Sequence, residues 1–146
     1  LVGSDHGGYT EQMQALTARL HLEDKVQFLG SRTDVPQLLQ AADLFVHPAT
    51  CQEGFGITLI EAMASGVPCL AFPKGAIPEI IGPEIDGFLT EEVSAAALTA
   101  GINRALELFT KAPHHWHTLC KNARQKAELF SIERTVAQLE ALYQEQ

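Results

Sequence analysis

The sequence predicts an α/β fold, a Rossmann-like parallel sheet with helices on both faces. Short apolar runs that suit buried strands alternate along the chain with segments whose apolar residues recur at helical spacing. Alternation of this kind favours parallel strands, because each connection between strands then passes through a helix. The 146 residues are 46% hydrophobic, which is enough to form one core of ordinary size.

The first half of the chain is predicted to hold three strands and two helices. The opening "LV" resembles the end of a strand, and "KVQFLG" (residues 25–30) alternates apolar side chains before its glycine. Between them, residues 10–20 have the apolar spacing of a helix. The stretch "TDVPQLLQAAD" predicts a second helix, with Asp34 as a candidate N-cap and a proline two residues later. The apolar strand "LFVHP" follows at residues 44–48.

The second half is predicted to contain two further strands and to end in helices. A helix over residues 57–65 ends at Gly66, and "VPCLAF" follows it as a buried strand. "IPEII" is a short helical turn, and "GFL" is a short edge strand. The remaining predicted helices, which are separated by Pro113 and by "FS", cover residues 94–109, 114–130 and 132–143.

Charge and cysteine content exclude several classes of protein. There are 10 Lys and Arg against 18 Asp and Glu, a net charge of -8, so a basic face for nucleic acid is not expected. Cys51, Cys69 and Cys120 form no metal-binding pattern and are expected to be buried small residues in a reducing compartment. No apolar run approaches the roughly 20 residues of a membrane span. An acidic chain can still bind phosphate through backbone amides at a helix start.

Ligands of parallel α/β folds bind beyond the carboxyl ends of the strands, so the loops after strands are the first candidates for a site. The loop "ATCQEGFG" leads into the helix that begins near residue 57. Gly54 and Gly56 allow a sharp turn and the close approach of a ligand. The free amides of residues 56–59 would then form an anion site with the helix dipole. The alternative is that the glycines only make a tight turn.

Two glutamates flank this turn, with seven residues between them. Glu61 lies about one turn inside the helix, where a carboxylate can accept two hydrogen bonds from a vicinal diol such as that of a ribose. It can equally complement the helix dipole or point to solvent. Glu53 precedes the turn, and its candidate roles are hydrogen bonding to sugar hydroxyls or stabilising positive charge at an anomeric carbon. The alternative for Glu53 is an exposed loop acid.

This spacing resembles the E-x7-E signature of the family 4 retaining glycosyltransferases, which have the GT-B fold of two Rossmann-like domains. The stretches "KVQFLGSRTDVPQLLQAADLFVHPA", "GAIPEIIGPEIDGFL" and "ELFSIERTVAQLEALY" resemble segments of that family, in the family's order. The stretch from "SRTD" to "HPA" is also similar to lipopolysaccharide core glucosyltransferases. The resemblance covers nearly the whole chain and matches a C-terminal, donor-binding domain.

The resemblance implies a role for each part of the motif. Glu61 would bind the ribose, and Glu53, as the catalytic residue, would contact the donor sugar near the reaction centre. The backbone at the helix start would hold the diphosphate, and the loop after "QFLG" would meet the nucleobase, partly through backbone groups. The expected donor-binding residues besides Glu61 are Gly54, Phe55, Gly56, Ile57, Thr58, Leu59, Gly30, Ser31, Arg32 and Gly75. Gly75 lies in a Lys-Gly-Ala segment where the family usually has Gly-Gly.

The implied reaction moves a hexose from a nucleotide-diphosphate sugar, UDP- or GDP-linked, to an acceptor hydroxyl of a cell-envelope glycan or lipopolysaccharide, with retention. No cofactor is expected, and the lack of a D-x-D sequence fits transfer without a metal. The chain is expected to be the donor domain over residues 1–146, without the N-terminal acceptor domain, the basic diphosphate clamp and the first strand. A saccharide or lipid-linked saccharide acceptor would bind through the missing domain. The piece alone would be inactive, and the protein cytoplasmic or peripheral at the inner face of the membrane.

Other features of the sequence are weaker guides to function. "HHWH" at residues 114–117 suggests a metal site, but adjacent helical histidines point in different directions, so a partly exposed helix start is expected. His47 either lines the donor site or is a buried, hydrogen-bonded histidine. A sugar-nucleotide epimerase or a phosphorylase would need an acid–histidine set or a pyridoxal lysine that is not apparent. A non-catalytic sugar-nucleotide-binding module is the remaining alternative. The apolar face of the last helix is expected to lack cover.

Overall fold

The computed structural model describes residues 1–5 and 7–144. The chain divides into two compact units, Leu1–Val35 and Pro36–Gln146. In chain order the elements are α1 (Tyr9–Arg19), α2 (Val35–Gln40), β1 (Phe45–His47), α3 (Ile57–Ala64), β2 (Cys69–Ala71), α4 (Ile77–Ile80), β3 (Gly87–Leu89), α5 (Ala95–Lys111), α6 (Pro113–Ala127), a 3₁₀ turn (Glu128–Phe130) and α7 (Ile132–Gln144).

The second unit is built around a parallel sheet of three strands in the order β1-β2-β3. Phe45 of β1 pairs with Cys69 of β2, and Cys69 pairs with Gly87 of β3. Each connection between strands passes through a helix, α3 first and α4 second. This arrangement confirms the α/β, Rossmann-like fold that the sequence predicts, including the position of "GFL" at an edge of this sheet.

Helices cover both faces of the sheet. The Sγ of Cys69 faces α3 and lies 3.6 Å from the carbonyl oxygen of Leu59. The next side chain on β2, Leu70, points to the opposite face, because side chains alternate along a strand. It packs against α5, where a Cβ at Gly101 would lie 2.7 Å from the Leu70 Cδ1. Glycine at position 101 therefore lets α5 approach the sheet closely.

The core beside α5 holds these helices against the strands. Its buried members are Leu70, Phe88, Ala105, Trp116 and Leu119. The rings of Phe88 and Trp116 stack with their centroids 6.3 Å apart. The helix α6, which carries Trp116, contacts both α3 and α5. Burial of this aromatic cluster fixes the framework whose strand ends carry the candidate site.

The sequence "HHWH" marks the start of α6, as the helix-start interpretation predicts. Trp116 is buried in the core, whereas His114, His115 and His117 are exposed. Over residues 1–5 and 7–144, no group of three or more His, Cys, Asp or Glu side chains is arranged to hold a metal ion. The histidines therefore lie on the outside of a helix that the tryptophan anchors.

The first unit has less regular structure than predicted. Helix α1 agrees with the predicted helix, but the strands predicted at residues 1–2 and 25–30 are wrong. Backbone hydrogen bonds join these segments, from the Gly3 N–H to the Gly30 carbonyl and from the Leu29 N–H to the Leu1 carbonyl, both at 2.9 Å. Neither segment forms a regular strand, although these hydrogen bonds have ordinary lengths.

The three cysteines differ in burial. Cys69 is buried and Cys120 half-buried, and burial raises the pKa of both thiols, but Cys51 is exposed, so its predicted burial is wrong. Cys51 lies in a loop at the end of the sheet, outside the core.

The apolar face predicted for the last helix is exposed, at Val136, Leu139 and Leu142 of α7. In the described part of the chain, no helix is long and apolar enough to cross a bilayer.

Candidate functional site

The candidate site lies at the carboxyl edge of the sheet in the second unit. Strands β1 and β2 end at His47 and Ala71, which are paired in register. Because the ends of neighbouring parallel strands meet at one edge, the loops over residues 48–56 and 72–76 start side by side. They are joined where the Ala76 N–H donates to the carbonyl oxygen of Glu53 at 2.9 Å.

Gly75 lies directly against the backbone of Glu53. It has a φ of +57°, and a Cβ there would overlap the carbonyl oxygen of Glu53 and lie 2.6 Å from its nitrogen. Only glycine combines this left-handed conformation with so close an approach. Gly75 therefore supports the position of Glu53, and its contact with a ligand stays a prediction.

Helix α3 begins without a side-chain cap. Its N-cap is Gly56, which has the left-handed conformation (φ 73°, ψ 41°) and no side chain to accept a hydrogen bond. The Gly56 carbonyl accepts from the amides of Leu59 and Ile60 at 3.0 and 3.1 Å. Among the described residues, no acceptor is hydrogen-bonded to the amides of Ile57 and Thr58. The first turn therefore presents two open donors at the positive end of the helix dipole.

The carboxylate of Glu53 folds back onto this helix start. Its Oε1 accepts from the Gly56 N–H at 2.9 Å and from the Phe55 N–H at 3.3 Å. These two hydrogen bonds, that of Gly56 first, hold the pKa of Glu53 below its ordinary value, because they stabilise the charged form. With 28% of its side chain exposed, Glu53 is not the exposed loop acid of the alternative interpretation.

The prediction that the amides of residues 56–59 are all free is wrong at two positions. The amide of Gly56 is bonded to the Glu53 carboxylate, and that of Leu59 is bonded to the Gly56 carbonyl. A glutamate three residues before an N-cap can turn toward the helix or away from it, and the sequence does not distinguish the two. The amides of Ile57 and Thr58 remain for an anion.

Glu61 lies on the exposed face of α3. The helix buries Leu59 and Met63 on one side and exposes Ile57 and Glu61, one turn apart, on the other. Within residues 1–5 and 7–144, no hydrogen bond or ion pair engages the Glu61 carboxylate. Helical side chains lean toward the N-terminus, so Glu61 reaches back over the turn that carries the two open amides.

His47, the last residue of β1, faces Glu53 from the sheet. Its Nε2 lies 3.6 Å from Oε2 of Glu53, and this nitrogen is buried without a hydrogen-bond partner in the described chain. The imidazole stacks on Phe45 with the ring centroids 6.3 Å apart. His47 thus lies beside Glu53 and has no hydrogen-bond partner at Nε2 in the described chain, and its role in lining a donor site stays a prediction.

Three of the predicted donor-binding residues belong to the first unit. Gly30 has a φ of +63° and Ser31 is exposed. The guanidinium of Arg32 is held by both carboxylate oxygens of Asp34, with N–O distances of 2.8 and 2.6 Å. This pairing raises the pKa of Arg32 and lowers that of Asp34. The Arg32 side chain is engaged locally, which leaves the backbone of this loop for the predicted base contact.

Apolar rings and small residues complete the loop before α3. Gly54 is exposed, and 55% of Phe55 is accessible to solvent. The Phe55 ring meets Phe130 edge to face, with the centroids 6.2 Å apart. The support from Ala76 and Phe130 was not apparent from the sequence, because both contacts join residues distant in the chain. The structure brings the residues of loop 53–56, the first turn of α3 and Gly75 together, and their binding roles stay predictions.

The chain matches one protein family over most of its length. The family model described as "Glycosyl transferases group 1" matches residues 1–126. The N-acetyl-alpha-D-glucosaminyl L-malate synthase of Bacillus anthracis is 36% identical over 129 residues, which are 88% of this chain and 32% of that protein. The lipopolysaccharide glucosyltransferase WaaG of Escherichia coli (strain K12) is 30% identical over 142 residues, 95% of this chain and 36% of that protein.

The fold is similar to that of a solved protein structure. The Anabaena protein Alr3699/HepE, in complex with UDP and glucose, superposes with a TM-score of 0.82 at 32% identity. That match covers 97% of this chain and 39% of the other. The chain thus spans about a third of the length of the proteins that it matches.

Proposed function

The chain belongs to the group 1 glycosyl transferases, and we propose that it is the donor-binding domain of a retaining hexosyltransferase. On this proposal the start of α3 binds a nucleotide-diphosphate sugar. The hexose then passes to an acceptor hydroxyl with retention at the anomeric carbon. The acceptor is a saccharide or lipid-linked saccharide of the cell envelope, held by a further domain at the inner face of the membrane.

The observation that carries the proposal is the first turn of α3. Two open amides, of Ile57 and Thr58, lie one turn from the unengaged carboxylate of Glu61. A diphosphate satisfies the amides and the helix dipole, and the ribose attached to it then has its 2′ and 3′ hydroxyls within reach of Glu61. The two parts of a nucleotide diphosphate thus match two neighbouring groups that have no partner in the described part of the chain.

Glu53 contacts the donor sugar on this proposal. Its Oε1 is bonded to backbone amides, while no hydrogen bond engages Oε2 within the described residues. Oε2 can therefore accept from a sugar hydroxyl, and the lowered pKa keeps the carboxylate charged beside an anomeric carbon that gains positive charge. The leaving diphosphate gains negative charge as the bond breaks. Amides placed in advance stabilise that charge more than they stabilise the bound ground state.

The identity of the donor is part of the proposal. A UDP-linked hexose has support from the solved relative that carries UDP and glucose, and a GDP-linked hexose is the second candidate. The contact of the nucleobase with Gly30, Ser31 and Arg32 stays a prediction from the sequence. We propose transfer without a cofactor or metal, in which backbone amides and basic groups of the other domain balance the diphosphate charge.

Binding of nucleotide sugars tests this proposal directly. UDP-glucose, GDP-mannose and ADP-glucose are titrated into the chain, and saturation-transfer difference NMR reports which protons of each ligand contact the protein. We expect one of the three to bind, with saturation of its ribose protons reduced in Glu61→Ala but not in Glu133→Ala. Glu133 is an exposed acid in the first turn of α7 and keeps the charge change matched. Absence of binding by all three would contradict the proposal.

A further inference from the structure

We propose that His47 is a positioning residue for Glu53. When a nucleotide-diphosphate sugar occupies the start of α3, Nε2 of His47 donates a hydrogen bond to the Glu53 carboxylate. The inference rests on the proposed function and deepens it. It assigns to His47, at the end of β1, a part in donor binding that is exerted through Glu53.

The first step is the unsatisfied nitrogen of His47. Nε2 is buried without a partner in the described chain, and Oε2 of Glu53 lies 3.6 Å away. This distance is too long for a good hydrogen bond. It is also too short for a bridging water, because two ordinary hydrogen bonds through one water place the outer atoms about 4.5 Å apart. The pair can therefore be satisfied only by closing directly, through a movement of less than about 1 Å.

His47 and Glu53 are not hydrogen-bonded because the carboxylate is bonded elsewhere. The same carboxylate is held through Oε1 by the amides of Gly56, at 2.9 Å, and Phe55, at 3.3 Å. One acidic group thus faces two sets of donors and is hydrogen-bonded to only one of them. Buried polar groups in native proteins are seldom left unpaired, so the arrangement calls for a second state in which Nε2 is bonded.

The third step is the effect of a ligand. Phosphate or sugar oxygens of a ligand bound at the amides of Ile57 and Thr58 also lie close to those of Phe55 and Gly56, and compete with Oε1 for them. Once those bonds weaken, the Glu53 carboxylate can shift to Nε2 of His47 and keep a full set of partners. His47 therefore favours the ligand-bound arrangement over the free one, and a difference of that kind shifts the binding equilibrium.

The position of His47 suits this role because the sheet determines it. His47 pairs in register with Ala71, and its ring stacks on Phe45 at 6.3 Å with an interplanar angle of 27°. Only 17% of its side chain is exposed. The donor nitrogen thus has a fixed place, whereas Glu53 lies in a loop that can adjust.

Two variants separate the hydrogen bond from the ring. His47→Phe keeps an aromatic ring that can stack on Phe45 but removes the donor, and His47→Gln keeps an N–H donor without the ring. UDP-glucose is titrated into the chain by calorimetry and by NMR. We expect His47→Phe to weaken the affinity about tenfold and His47→Gln to stay within about threefold of the wild type. In a Glu53→Ala background, His47→Phe should have no further effect, because the group that it positions is absent.

The wild-type chain supplies a second readout that does not depend on the folding of a variant. With 15N-labelled histidine, addition of UDP-glucose should bring out a slowly exchanging Nε2 proton of His47. Equal affinities of His47→Phe and wild type, or an undiminished effect of His47→Phe in the Glu53→Ala background, would overturn the inference alone. An unchanged His47 imidazole in a UDP-glucose-bound wild type would overturn it as well. If the wild type binds none of the three nucleotide sugars, the proposed function fails, and the inference fails with it.

Discussion

Helices α3 and α5 belong to the same unit, but their starts are completed in different ways. At α5 the N-cap is Ser94, whose Oγ accepts from the Ala97 N–H at 3.0 Å and donates to Glu92 at 2.7 Å. At α3 the N-cap is Gly56, and the amides of the next two residues have no acceptor in the described chain. The amides of Ala95 and Ala96, the first two residues of α5, likewise have no acceptor in the described chain. The two starts therefore differ in the cap, because Ser94 covers the start of α5 with its side chain whereas Gly56 places none in front of α3.

The cap of α5 contributes to folding, whereas the start of α3 is a candidate binding site. A serine at the N-cap satisfies an amide that would otherwise be unpaired, and it stabilises the helix by about 1 kcal/mol. A glycine there forgoes that stabilisation and places no side chain of its own in front of the helix dipole. Glu61 lies one turn behind the start of α3 on its exposed face, and on the proposed function it adds a ribose contact to the predicted anion site.

The largest expected effect concerns the space around Gly56. In Gly56→Ala the new Cβ would lie 2.7 Å from Cδ1 of Ile80, in addition to the left-handed φ of 73°. Strain and overpacking together should lower the free energy of unfolding by about 2–4 kcal/mol. Gly66→Ala at the other end of α3 is the matched control, because its φ is +79° but its Cβ would meet nothing within 4 Å. Chemical denaturation of both variants should give a smaller loss for Gly66→Ala, and equal losses would contradict the packing argument.

The second effect sharpens the comparison at Glu61. Glu61→Ala should weaken UDP binding about tenfold to a hundredfold, because a charged acceptor for two hydroxyls is lost. Its free energy of unfolding should stay nearly unchanged, since no hydrogen bond or ion pair in the described chain engages the Glu61 carboxylate. The decisive measurement compares UDP with 2′-deoxy-UDP. The wild type should prefer UDP and Glu61→Ala should not, whereas an undiminished preference in Glu61→Ala would show that another group reads the ribose.

The third effect concerns the serine cap at the start of α5. Ser94→Ala removes the acceptor of the Ala97 amide and should lower the free energy of unfolding by about 1 kcal/mol. UDP-glucose affinity, measured well below the melting temperature, should be the same as in the wild type. A loss of affinity in this variant would mean that the two helix starts do not differ in the way described.

The smallest effect is a pH dependence at Glu53. Its folded-state pKa is lowered, mainly by the Gly56 amide, so the folded chain binds this proton less tightly than the unfolded chain. The stabilisation is therefore present above the unfolded pKa and is lost as pH falls through the folded pKa. In Glu53→Gln this contribution should be absent. Urea denaturation from about pH 7 to about pH 3 measures it, and identical pH profiles for wild type and variant would contradict the assigned hydrogen bonds.

The framework of the second unit was predictable because local signals agree with one another there. "LFVHP", "VPCLAF" and "GFL" are short apolar runs, and the structure forms β1, β2 and β3 inside them. Gly66 ends α3 where its φ of +79° requires glycine. The strands predicted in the first unit have a similar apolar pattern but do not form, so the pattern alone does not decide their structure.

The geometry of the site was predictable only in part. Spacing along α3 is sufficient to place Glu61 one turn from the open amides. The backbone of Glu53 is held by contacts with Gly75 and Ala76, more than 20 residues later in the chain. The approach of His47 to Glu53 likewise depends on the register of β1 with β2. Such long-range contacts position Glu53 and His47 relative to each other, and no local pattern of residues encodes them.

The most direct test of the account is the response of individual backbone amides to UDP-glucose. In a 15N-labelled chain, we expect the amide signals of Ile57 and Thr58 to shift downfield as they gain an acceptor. The signal of Ala97, which Ser94 already satisfies, should stay in place. Saturable binding of UDP-glucose with unchanged signals for Ile57 and Thr58 would contradict the claim that the open start of α3 is the donor site.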